Sequence, residues 1–221
     1  MLAEDLISDV VPALHPDDTG QKALNLMDVF RVSHLAVVDQ DTLVGLVSDK
    51  FIYDLNFIDT PVGEHLSQLH TPHVHKDQHI FEIGAVMYKL KLSLVPVVDE
   101  LHNYLGAITI FDLARKFASL FSLQEPGGII MIDFNVNDYS LVQISQIVES
   151  NDAKIMSLFL NRIPGTSTIV LTIKLDKVDL SPIIQTLTRY DYTIRGIYMD
   201  QSMLNDLYND RFEQFLKYMN I

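Results

Sequence analysis

Leu35-Ala36-Val37-Val38-Asp39 returns 60 positions later as Val95-Pro96-Val97-Val98-Asp99. The register extends in both directions from these segments. Leu14-His15 lies over Val74-His75, Asp17 over Asp77, Met27 over Met87 and Ser33 over Ser93. The stripe Ala23, Leu26, Met27, Phe30 recurs as Ile83, Val86, Met87, Leu90, keeping the i, i+3, i+4, i+7 spacing of an apolar helix face. One extra residue then enters the second copy, so that Gly45-Leu46-Val47-Ser48 lies over Gly106-Ala107-Ile108-Thr109 at an offset of 61. Agreement over so long a stretch marks a duplicated supersecondary unit, present as a pseudo-symmetric pair.

Each copy carries the same elements. The first predicts a helix over Thr19–Val32, strands over Leu35–Asp39 and Leu43–Val47 around a Gln40-Asp41 turn, and a helix from Ser48 to Phe57. The second predicts a helix over His79–Leu90, strands over Leu94–Val98 and Tyr104–Ile108, and a helix from Thr109 to Phe121. The strand runs are nearly all apolar, as in strands covered on both faces. Ahead of the first copy, Leu2, Leu6 and Ile7 fit a short amphipathic turn.

Gln124-Glu125-Pro126-Gly127-Gly128 punctuates a change of pattern. Beyond it Ile130, Ile132, Phe134 and Val136 alternate as in a strand, and Leu141, Ile144, Ile147 and Val148 form a helical stripe capped by Asp138 or Ser140. Strands over Lys154–Asn161 and Ile169–Leu175, a helix around Ile183 and Leu187, and a last strand over Tyr192–Met199 follow. The order β-α-β-β-α-β is the ferredoxin-like split arrangement. The predicted division is 1–60 and 61–123 for the repeats, 127–200 for the ferredoxin-like domain and 201–221 for an amphipathic helix bearing Leu204, Leu207, Phe212 and Phe215. The fold class is therefore mixed α/β (α+β).

The strand Leu94-Val95-Pro96-Val97-Val98-Asp99 and the strand-to-helix segment Gly106-Ala107-Ile108-Thr109-Ile110-Phe111-Asp112 resemble the signatures of a CBS domain. The duplication resembles the tandem CBS pair that shares one compact module. The first copy departs from the pattern at Ala36, which replaces the strand proline, and at Phe51, which stands in the aspartate position. The segment after the linker resembles an ACT domain, and the domain order is similar to that of the acetoin-utilisation B family of bacterial proteins. The resemblance implies a regulatory protein, a homodimer, and an adenosyl effector such as AMP, ADP, ATP or S-adenosylmethionine in the cleft of the pair.

Composition narrows the field independently. Asp plus Glu number 29 against 16 Lys plus Arg, a net charge of −13 that repels nucleic acid and anionic membrane. The chain has no cysteine, which removes thiolate nucleophiles and thiolate metal sites. Met1-Leu2-Ala3-Glu4-Asp5 lacks the basic and apolar run of a signal peptide, and no apolar run approaches about 20 residues. A cytoplasmic location and no membrane partner are expected.

Among site candidates, Thr109 and Asp112 come first. By resemblance the hydroxyl meets a phosphate or ribose and the carboxylate accepts from the ribose diol, a charge-assisted arrangement. Thr-x-x-Asp equally resembles a capping box that would occupy both side chains. In the first copy Ser48 keeps the hydroxyl, but Phe51 offers no acceptor, so one competent pocket is expected. Its adenine walls are assigned to the segment before the second repeat's first helix, Thr71-Pro72-His73-Val74. His65, His70, His73, His75 and His79 cluster within fifteen residues, yet match no tight metal-ligand spacing and are read as an exposed connector, with no metal. In the ACT-like part, Asn137-Asp138-Tyr139-Ser140 and Tyr190-Asp191-Tyr192 lack the glycine of a ligand loop, which favours a structural or dimerising role. No catalytic motif appears. A nucleotide sensor therefore leads over a ligand-free scaffold with decayed pockets and over an accessory enzyme of acetoin or related carbon metabolism.

Overall fold

Val37-Val38 and Val97-Val98 sit in strands covered on both faces, and the first half of the chain is assembled around them. A computed structural model describes residues 1–8 and 10–199. The chain divides into two compact units, Met1–Lys116 and Phe117–Ile221.

In the first unit β1 (His34–Asp39) pairs antiparallel with β2 (Thr42–Ser48). The second copy builds β3 (Val74–His75), β4 (Leu94–Val98) and β5 (Tyr104–Thr109), with β3 parallel and β5 antiparallel to β4. In both hairpins the register shifts at the same place, between Val37 and Val38 and between Val97 and Val98. The helices are α1 (Gly20–Phe30), α2 (Asp49–Leu55), α3 (Ile80–Leu90) and α4 (Ile110–Leu120). Thr19 caps α1, and His79 occupies the matching position before α3 and closes a capping box with Glu82. Arg31 and Lys91 end the two helices in the left-handed region, each returning its N–H to the carbonyl of Met27 or Met87. Ala23, Met27, Ile83 and Met87 are buried as the stripe requires. Leu90 departs from it and is 48% exposed.

The leading segment of each copy crosses to the other. Ser8 donates its N–H to Ala107 in β5 (3.0 Å), while Leu46 in β2 donates to His70, just ahead of β3 (2.9 Å). Both crossings sit on glycine. A Cβ on Gly45 would stand 2.6 Å from Leu69 Cδ1, and one on Gly106 (φ +142°) would run into Ile7. Leu14 then returns to its own copy, bonding Ala36 and Val38 of β1. The short lead-in turn, Ala3–Leu6, buries Ala3 and Leu6.

The second unit runs β6 (Ile129–Asn135), α5 (Leu141–Ser150), β7 (Ile155–Arg162), β8 (Thr168–Leu175), α6 (Ser181–Arg189) and β9 (Thr193–Tyr198). The strand order β7-β8-β6-β9 is antiparallel throughout. This is the split β-α-β-β-α-β arrangement, with α5 and α6 on one face. Ile130, Ile132, Phe134, Leu171 and Ile173 meet Ile144, Ile147, Ile183 and Leu187 there, all buried. Ser140 caps α5. The amphipathic helix expected over 201–221 lies outside the described residues. Among the described residues no helix is long and apolar enough to cross a membrane.

Candidate functional site

A cavity of about 330 Å³ opens where β2 runs into α2. Ser48 stands at that junction as the N-cap of α2, its Oγ accepting from the N–H of Phe51 at 3.1 Å. Leu46, Leu69, Phe51, Pro72, Leu90 and Leu92 supply apolar walls, Gln68 and His70 add polar ones, and among the described residues no Lys or Arg lines the space. Leu90 is exposed because the end of the α3 stripe faces this opening rather than core.

His34, the first residue of β1, also lines the cavity. Its Nδ1 lies 3.0 Å from Ser93 Oγ and 3.1 Å from Ser33 Oγ, and accepts the backbone N–H of Ser93 at 3.3 Å. Ser93 Oγ in turn accepts the N–H of Ser33 at 2.9 Å. Burial lowers the His34 pKa below its ordinary value, with the Asp49 charge opposing. The chain pattern gave one signal for this residue: Leu94 occupies the same place in the second copy.

Thr109 and Asp112 face each other at the start of α4. Thr109 Oγ1 donates to Asp112 Oδ2 at 2.6 Å and accepts the N–H of Asp112 at 3.1 Å. Thr109 is 6% exposed, and Asp112 is half-buried. Thr109 Oγ1 thus caps the Asp112 N–H, and the two side chains bond each other.

The walls expected for Thr109 and Asp112 stand elsewhere. Pro72 lies in the cavity with Ser48, because the segment before β3 crosses to β2. Val74 is fully buried and paired with Val97, so its side chain belongs to the core. His73 turns its Nδ1 to the Thr71 carbonyl at 2.8 Å and packs against the rings of His75 and His102. The β5 strand that leads to Thr109 is flanked instead by Ile7 and Ser8 of the lead-in. Sequence order alone assigned each leading segment to its own copy, and the crossing reverses that.

The clustered histidines serve separate local ends. His65 stacks on Phe57 (centroids 4.2 Å apart), and His79 caps α3. Among the described residues no three His, Asp or Glu side chains are placed to hold a metal ion. In the second unit Tyr139 and Tyr192 both pack edge-on to Phe134, with centroids 5.5 Å away, and the Tyr192 hydroxyl donates to Gln143 at 2.8 Å.

The two halves of the repeat, residues 3–50 and 65–119, each match the family model of the CBS domain. The first unit is accordingly a tandem CBS-domain pair. Among curated proteins the chain is similar to inosine-5'-monophosphate dehydrogenase of Methanocaldococcus jannaschii, 29% identical over 116 residues, covering 51% of this chain and 23% of the relative. L-aspartate semialdehyde sulfurtransferase of the same organism is 25% identical over 117 residues, covering 52% and 23%. The chain thus spans about a quarter of the length of these relatives. Among solved structures, a CBS domain pair/ACT domain protein from Thermotoga maritima aligns at TM-score 0.47 and 21% identity, covering 54% of this chain and 98% of that one. CBSX2 in complex with AMP aligns at TM-score 0.44 and 22% identity, covering 53% and 96%.

Proposed function

We propose that this chain is a non-catalytic regulatory sensor whose CBS pair takes an adenosyl ligand: AMP, ADP, ATP or S-adenosylmethionine. The observation that carries the reading is the cavity beside Ser48, about 330 Å³ with mostly apolar walls, within the range of small-molecule sites. Its lining suits the nucleoside part of such a ligand. Thr109 and Asp112 form the second half-site, which requires Asp112 to exchange its bond to Thr109 for a ribose hydroxyl. The division at 1–60, 61–123, 127–200 and 201–221 is part of the proposal, as is a relay from the pair through the ACT-like domain to a protein partner. A role of the acetoin-utilisation B kind, in the cytoplasm, fits this order of domains. A homodimer is supported by exposed apolar side chains on α2 (Tyr53, Leu55) and α4 (Ile110, Phe111). A monomeric mass by light scattering at micromolar concentration would refute it.

A ligand-free scaffold is the second reading, favoured by the closed Thr109–Asp112 pair. Thermal-shift measurements with AMP, ADP, ATP, S-adenosylmethionine and NADH separate the two. A ligand at 100-fold its dissociation constant stabilises by about 2.7 kcal/mol. No shift with any adenosyl compound overturns the sensor.

A further inference from the structure

We infer that His34 is a specificity residue of the cavity beside Ser48, donating a hydrogen bond from Nε2 to an uncharged acceptor on the nucleoside of the ligand. The inference rests on the reading of that cavity as an adenosyl site and adds which group reads the ligand.

The other ring nitrogen fixes the tautomer. A backbone N–H can only donate, so the Ser93 N–H at 3.3 Å fixes Nδ1 as an acceptor. The Ser93 hydroxyl, whose oxygen already accepts the Ser33 N–H, has its own proton to give and lies 3.0 Å from Nδ1. The ring's single proton is therefore on Nε2. Among the described residues that N–H has no protein partner, although the ring lines the cavity. The lock is built at the pseudo-symmetry centre, from Ser33 and its repeat mate Ser93, and no such ring exists at the mate of His34, which is Leu94.

The chemistry of the walls says what the donor meets. Leu46, Phe51, Pro72, Leu90 and Leu92 surround it, Gln68 and His70 complete the lining, and among the described residues no Lys or Arg does, so a phosphate would meet no permanent countercharge there. A flat heterocycle with a ring nitrogen or carbonyl acceptor fits: apolar faces against the leucines and Phe51, one polar edge toward His34. A site that hydrogen-bonds its ligand discriminates sharply against analogues lacking the partner atom.

The test is calorimetric titration of the full chain and two variants with adenosine and with AMP. His34→Leu installs the residue the second copy carries. His34→Gln keeps an N–H donor at similar reach. We expect His34→Leu to weaken adenosine and AMP equally, by about tenfold or more, and His34→Gln to stay within about threefold of wild type. In a long-range proton–nitrogen spectrum of wild type, His34 Nε2 should carry the proton and shift when adenosine is added. If wild type binds neither compound, the adenosyl reading itself fails. If wild type binds and His34→Leu binds as well, or His34→Gln is as weak as His34→Leu, the inference fails while that reading survives. A loss confined to AMP places the contact on phosphate and overturns the assignment to the nucleoside. If His34→Leu does not fold, the Gln variant and the nitrogen shift still decide.

Discussion

Replacing Asp112 by alanine tests what the closed pair at the start of α4 is for. The mutation removes the acceptor of the 2.6 Å bond from Thr109 and leaves a nearly buried hydroxyl without it. A hydrogen bond to a charged group contributes about 1.5–3 kcal/mol. A carboxylate in a helix's first turn adds about 0.3–1 kcal/mol through the macrodipole. Because Asp112 is half-buried, solvent screens part of both, and the sum is expected near the lower end, about 2 kcal/mol. Thr109→Val removes the same bond from the other side together with the cap to the Asp112 N–H. In urea melts followed by circular dichroism, the double mutant should therefore lose less than the two single mutants together, with a coupling of about 1–2 kcal/mol. Titration with AMP then separates the roles. A tenfold or greater loss of affinity in Asp112→Ala assigns the carboxylate to the ligand as well as to the helix. Unchanged affinity leaves it a cap alone. A stability loss below about 0.5 kcal/mol with no coupling would refute the account of the pair altogether.

Gly106→Ala, at φ +142° with Ile7 in the way, should cost clearly more stability than Gly165→Ala, at φ +75° with open space around it, where only the backbone penalty of about 1–2 kcal/mol remains. Equal midpoints in urea would show that the lead-in does not pack on β5. Ile132→Ala, fully buried in the second unit, should destabilise it by about 2–5 kcal/mol. A thermal midpoint unchanged from wild type would contradict that core. Burial holds the folded-state pKa of His34 below 6.5, so the unfolded chain takes up this proton first as pH falls. Its contribution to stability is complete above pH 6.5 and declines below it until the folded ring is also protonated. His34→Leu should flatten that part of the stability–pH curve, and an unchanged slope would refute the assignment.

What the chain itself determined was the architecture. Ala23 and Met27 over Ile83 and Met87, with Val37-Val38 over Val97-Val98, fix which faces are buried, because helix and strand periodicities are local properties of the chain. The alternation through Ile130, Ile132, Phe134 and through Ile169, Leu171, Ile173 likewise specifies the inner face of the second sheet. The Thr109–Asp112 spacing was legible because a capping pair needs only three residues of separation. The tertiary structure decided the site. Pro72 belongs with Ser48 rather than Thr109 because the leading segments cross between copies, and pairing between distant strands leaves no mark on local periodicity. Phe51, a defect when read against the aspartate position, becomes an apolar wall. His34 reads as one more strand residue until folding brings Ser93, 59 positions away, against its Nδ1 and sets which nitrogen carries the proton.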